Sequence, residues 1–195
     1  YFANPKSEYL YLKNKIHRKI SDVLNSNSYI LGNEVKKFEK NFSKYLGIKY
    51  SLGVSNGTDA LILALKAIDI KPGDEVITTS HTAFATIAAI REVGAIPVFV
   101  DIKEDDFTID TRYLKKKITK KTKAIIIVHI YGNPADILAV KKIAKKKKLI
   151  LIEDCAQAHG AEYNKKKVGT FGDFSCFSFY PTKNLSTFGD DILRA

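Results

Sequence analysis

Apolar residues recur along this chain with two different periods, and the alternation between them predicts its architecture. From Tyr9 to Leu24, the residues Leu12, Ile16, Ile20 and Val23 or Leu24 fall at the spacing of one helix face, and Val35, Phe38, Phe42 and Tyr45 repeat it between Glu34 and Leu46. Two helices are therefore expected before any sheet. Short apolar, largely β-branched runs then take over at 50–55, 75–79, 96–100, 123–128, 149–153 and 173–179. Helical stretches at 58–68, 84–93, 111–118 and 135–147 separate most of them, with turn signals at Lys71-Pro-Gly-Asp74, Val93-Gly-Ala95 and Tyr131-Gly-Asn-Pro134. Strands alternating with helices predict an α/β fold, a mostly parallel sheet covered by helices.

The chain has 195 residues, 45% of them hydrophobic, enough for one sizeable core. With no repeat, linker or low-complexity stretch to divide it, residues 1–195 are read as one domain led by a helical segment over 1–30. The chain starts at Tyr1, holds no methionine and stops soon after its most chemical segment, so it is expected to be part of a longer protein. Its longest apolar runs, such as 124–128 and 149–152, are too short to span a bilayer, and no leader-like segment is read at the start, so a cytoplasmic location is expected.

A net charge of +11 raises nucleic acid as a partner. The lysine runs at 115–117, 145–148 and 165–167 fall at predicted helix ends or in a turn, where solvated lysine favours the helix C-terminus, so no nucleic acid is expected. Cys155 and Cys176 give no disulfide framework and read as buried reduced thiols. His17, His81, His129 and His159 form no ligand-spaced pair, and no metal is expected.

Three segments carry candidate chemistry. Ser55-Asn-Gly57-Thr58-Asp59 follows a strand and opens a helix, which suits an anion, although a plain turn and helix cap has the same sequence. It has neither the spacing of a Walker loop nor that of a dinucleotide fingerprint. Asp154 closes an apolar strand and reads as a cofactor contact, a helix cap or a metal ligand. Lys183 lies just beyond the last strand-like run. A carboxylate and an amine so placed suit pyridoxal phosphate, one on the ring nitrogen and the other on the aldehyde.

These motifs in order, Gly57-Thr-Asp-Ala-Leu61, Pro72-Gly-Asp-Glu-Val76, Gly94-Ala-Ile-Pro-Val98, Glu153-Asp-Cys-Ala-Gln-Ala-His-Gly160 and Cys176-Phe-Ser-Phe-Tyr-Pro-Thr-Lys-Asn-Leu185, resemble the DegT/DnrJ/EryC1/StrS family of sugar aminotransferases. The resemblance runs from about Tyr29 to about Asp190. It implies the large domain of a fold-type I aminotransferase, without the small domain that usually follows, and pyridoxal 5'-phosphate as cofactor. It further implies amino transfer from an amino acid, usually glutamate, to a nucleotide-linked keto sugar, of use in polysaccharide biosynthesis, by a homodimer when full length. Carried over residue by residue, Lys183 forms the internal aldimine, Asp154 bonds the pyridine nitrogen, Gln157 approaches the ring hydroxyl, and Ser178 with Gly57, Thr58 and Asp59 binds the phosphate. Lysine rather than histidine at 183 favours amino transfer over dehydration. Ala83 stands where many relatives stack an aromatic ring on the cofactor, and His81 or Phe84 is the expected substitute. The alternative to an enzyme is a noncatalytic remnant or binding module of the same fold.

Overall fold

The computed structural model describes residues 4–187 and the backbone of 192–194, so the Phe188-Gly189-Asp190 motif lies outside the described residues. Among the described residues there are six α-helices, α1 (Pro5–Asn25), α2 (Asn33–Leu46), α3 (Gly57–Ala67), α4 (Phe84–Glu92), α5 (Thr111–Lys117) and α6 (Ile137–Lys147). The strands are β1 (Leu52–Gly53), β2 (Glu75–Thr79), β3 (Ile96–Val100), β4 (Thr122–Val128), β5 (Ile150–Asp154), β6 (Glu162–Tyr163), β7 (Lys166–Lys167), β8 (Phe174–Phe177) and β9 (Ile192–Arg194). Seven of them make one sheet in the order β1-β9-β8-β5-β4-β2-β3. Its five strands from β8 to β3 run parallel, while β9 pairs antiparallel with β8 and β1 pairs antiparallel with β9.

Strand alternation sorts the core into two layers. Ala124 and Ile126 of β4 pack with Ala60, Leu61, Ala64 and Leu65 of α3 and Ala89 and Ile90 of α4. Ile125 and Ile127 pack on the opposite side with Leu114 of α5 and Ile137 and Val140 of α6. Because both faces are covered, the strand reads as an unbroken apolar run instead of alternating with polar residues. Each isoleucine buried there contributes roughly 1.5–3 kcal/mol.

A third cluster fixes the segment that leaves the sheet after β8. Phe42 of α2 meets the rings of Phe177 and Phe179 edge-on, at 5.1 and 5.3 Å between centroids. These rings are buried with Leu46, Cys155 and Val168, so the chain from Ser178 onward starts from a rigid base.

The sheet and helices expected from the sequence are present, with local differences. The run at 50–55 shortens to β1 because its flanks are tied elsewhere. Ser51 Oγ donates to the Glu39 carbonyl and Gly53 N–H to Glu39 Oε1, while Asn56 caps α3. Helix α1 starts earlier than its apolar pattern, since Asn4 caps it and Pro5 occupies its first turn. The sequence reading also missed the β6–β7 hairpin, whose two turn residues Asn164 and Lys165 both have positive φ, as a type I′ connection requires. No residue of α1 is buried. Among the described residues, no helix is long and apolar enough to cross a membrane.

Candidate active site

Parallel strands deliver their carboxyl ends to one edge of the sheet, where open α/β folds collect ligand groups. A cavity of about 250 Å³ lies at that edge, walled by the ends of β4 and β5, the first turn of α3, the loop before α4 and the segment after β8. Of the residues singled out from the sequence, Gly57, Thr58, Asp154, Gln157, Ser178 and Lys183 line it together. Asp59 does not. Its carboxylate accepts from Asn56 Nδ2 at 3.0 Å and its N–H donates to Asn56 Oδ1 at 2.8 Å, so it completes the helix cap while Asn56 itself reaches the wall.

Asp154 is the last residue of β5 and only 6% exposed. Its Oδ1 accepts the Ala156 N–H at 3.1 Å, and its Oδ2 accepts the Thr86 hydroxyl at 2.9 Å. Burial pushes its carboxyl above the usual range, opposed by these two donors and by the charge of Lys183. Gly57 and Thr58 approach from the first turn of α3, the helix end that carries partial positive charge. Gln157 Oε1 accepts the Tyr131 N–H at 2.8 Å, so the donor this cavity-lining side chain has to offer is its amide nitrogen.

Lys183 is held by its own backbone and its neighbour. Its N–H donates to the Tyr180 carbonyl at 2.8 Å. Asn184 is tied twice to His159, through its Oδ1 to the ring Nδ1 and through its Nδ2 to the carbonyl, both at 2.9 Å. His159, part of the quoted motif but given no role from the sequence, thus anchors the loop that presents Lys183.

Next to Asp154, Glu153 is fully buried and saturated. It accepts the N–H groups of Gly169, Phe171 and Gly172 and lies 3.1 Å from His129 Nε2. Burial alone would raise its carboxyl, but the bonds from His129, Gly172 and Gly169 hold it below the usual range. Because His129 Nδ1 accepts the Ala135 N–H, the ring proton sits on Nε2 and points at Glu153. His129, Glu153 and Cys155 bring potential metal-binding atoms within 4.8 Å of one another, yet the acid and the imidazole are occupied by these hydrogen bonds.

On the wall where a stacking ring was expected, the structure presents Thr82, Ala83 and Ala85. Neither expected substitute reaches it. His81 Nε2 pairs with the Tyr131 hydroxyl at 3.1 Å and its ring lies 5.9 Å from Phe107. Phe84 is 79% exposed, because the first turn of α4 brings Thr86 inward and faces Phe84 outward. Thr86, Asn56 and His129 were missed from the sequence. An asparagine-before-helix cap rule was available for Asn56, whereas Thr86 and His129 belong to the site only through long-range packing.

The DegT/DnrJ/EryC1/StrS aminotransferase family model matches residues 11–191. The chain belongs to this family. Among its relatives, dTDP-3-amino-3,6-dideoxy-alpha-D-galactopyranose transaminase of Aneurinibacillus thermoaerophilus is 51% identical over 85% of this chain and 46% of its own length. A protein of Geobacillus stearothermophilus named pleiotropic regulatory protein is 49% identical over 94% of this chain and 49% of its own. The solved structure of S. venezuelae DesV, in complex with a ketimine intermediate, superimposes with a TM-score of 0.96 at 42% identity, covering 99% of this chain and 52% of that one. The fold is thus that of family aminotransferases, and the chain spans about half the length of the relatives it matches.

Proposed function

We propose that this chain carries the pyridoxal phosphate site of an aminotransferase that moves an amino group from glutamate to the keto group of a nucleotide-linked sugar. The observation that carries the reading is that Lys183 and Asp154, from separate segments at the carboxyl edge of the sheet, line one cavity. The remaining walls suit the same molecule. The first turn of α3 and Ser178 offer an anion its donors, Gln157 offers an amide N–H to a ring oxygen, and Leu61, Val128 and Ile130 supply apolar surface that excludes water.

When bound, pyridoxal phosphate supplies an electron sink for breaking the carbon–hydrogen bond beside an amine. Asp154 holds a proton at the ring nitrogen, which its charge favours. Lys183 is the amine of the cavity wall, able to anchor an aldehyde and to move a proton at its Nζ. Gln157, fixed by Tyr131, orients the ring. The substrates of this reading, an amino acid and an activated sugar bound for polysaccharide, place the reaction in the cytoplasm. Its working unit is a homodimer, consistent with the uncovered apolar stripe of α1.

Mixing the protein with pyridoxal phosphate tests the reading. A visible absorbance band retained through gel filtration is expected, and it is lost in Lys183→Ala. A folded protein that acquires no band overturns the proposal. A band without turnover of glutamate and a keto nucleotide sugar leaves a cofactor-binding module of the same fold.

A further inference from the structure

We infer that Thr86 is a positioning residue for Asp154, acting with Thr82 as a one-way chain of hydroxyls that keeps this carboxylate charged and aimed into the cavity. The inference rests on the pyridoxal phosphate reading above and assigns it a part that none of the sequence motifs contained. Thr86 is fully buried in the first turn of α4. A threonine inside a helix commonly returns its hydroxyl to the carbonyl one turn back. Thr86 instead donates across to Asp154 Oδ2 at 2.9 Å, over a sequence separation of 68 residues.

The direction of the chain follows from proton counting. A hydroxyl has one proton, and Thr86 gives it to Asp154, so its 2.8 Å contact with Thr82 Oγ1 has Thr82 as donor. Successive donors polarise one another, and the bond to an ionised acceptor is the strong one. With Ala156 N–H on Oδ1, each carboxylate oxygen has one fixed protein donor and keeps acceptor capacity for the cavity. The titratable groups around Asp154 are His129 from the turn just after β4, Lys183 from the loop after β8 and Cys176 from β8. The Cys176 thiol is pushed well up by burial and stays neutral, while the Nε2 proton of His129 is directed to Glu153. The two threonines therefore supply donors that do not depend on pH.

The inference is tested by pyridoxal phosphate dissociation constants, read from the absorbance of the bound cofactor, across a pH series for the wild-type protein, Thr86→Val, Thr86→Ser and Thr82→Val. Cofactor binding needs the Asp154 anion, so affinity falls as pH drops through the point where Asp154 gains a proton. Losing one hydrogen bond to a charged group moves that point up by about one pH unit, which is about a ten-fold loss of affinity on the acid side and little change well above it. Thr86→Val is expected to show this shift, Thr86→Ser to restore the wild-type curve, and Thr82→Val to shift the same way by less. Should Thr86→Val fail to fold, the Thr82→Val curve decides. Wild-type and variant curves that coincide overturn this inference alone, whereas a wild-type protein that binds no cofactor at any pH overturns the parent reading as well.

Discussion

Glu153 and Asp154 are consecutive acids at the end of one strand, yet strand alternation sends them to opposite faces of the sheet. Glu153 meets three backbone N–H groups and an imidazole, and no acceptor capacity is left for a ligand. Asp154 meets one backbone N–H and one hydroxyl and opens on a cavity. Their carboxyls move in opposite directions for this reason: Glu153 is held low by its donors and Asp154 is raised by burial. A saturated buried acid organises the fold, and an under-coordinated one is available for chemistry.

The largest expected effect lies on the open side. Lys183→Ala removes the amine of the cavity wall, and a turnover assay with glutamate and a keto nucleotide sugar should fall by ~10²–10⁴, with the unfolding midpoint in urea little changed. Glu153→Ala should do the reverse. It strands three N–H groups and a histidine, and urea unfolding is expected to show a loss of roughly 3–5 kcal/mol. An unchanged stability would break the comparison.

Asp154→Asn comes next. The asparagine keeps the shape and removes a charge that burial disfavours, so stability should stay within about 1 kcal/mol of the wild type at neutral pH, while pyridoxal phosphate affinity drops by about ten-fold or more. pH sharpens the contrast. Because Glu153 titrates below its unfolded value of about 4.3, its stabilisation is complete above that value and is lost as pH falls through its folded pKa. The raised carboxyl of Asp154 has the opposite sign, with stability declining as pH rises from about 3.9 through its folded pKa. Acid unfolding of Glu153→Gln should therefore be flatter than that of the wild type, and that of Asp154→Asn steeper. The smallest effect is at the anion-binding end, where Asn56→Ala should cost about 1 kcal/mol by removing the α3 cap, read as a lower thermal midpoint.

The legible part of the molecule was the part encoded locally. Apolar periodicity located all six helices and most strands, and each quoted motif put its own residues at a strand end or helix start. That is why Asp154, Gln157, Ser178, Lys183, Gly57 and Thr58 meet at one cavity. Misreadings arose where a neighbour decides the outcome. Asp59 follows the wall residue Thr58 in the first turn of α3 but turns its carboxylate to Asn56, and Phe84 faces away because of the helical phase of α4. Thr86 and His129 gain their roles from partners far away in sequence, Asp154 for one and Glu153 for the other, and no local pattern marks them.

Helix α1 extends this logic from chemistry to handling. Its stripe of Leu12, Ile16, Ile20 and Val23, flanked by Lys15 and Lys19, lines an open groove together with Leu24 and Glu34. A helix of 21 residues is roughly 32 Å long, so much of that length presents a greasy ridge to water. The colloidal behaviour of the chain should then depend on concentration and on mild detergent, whatever the state of its pocket.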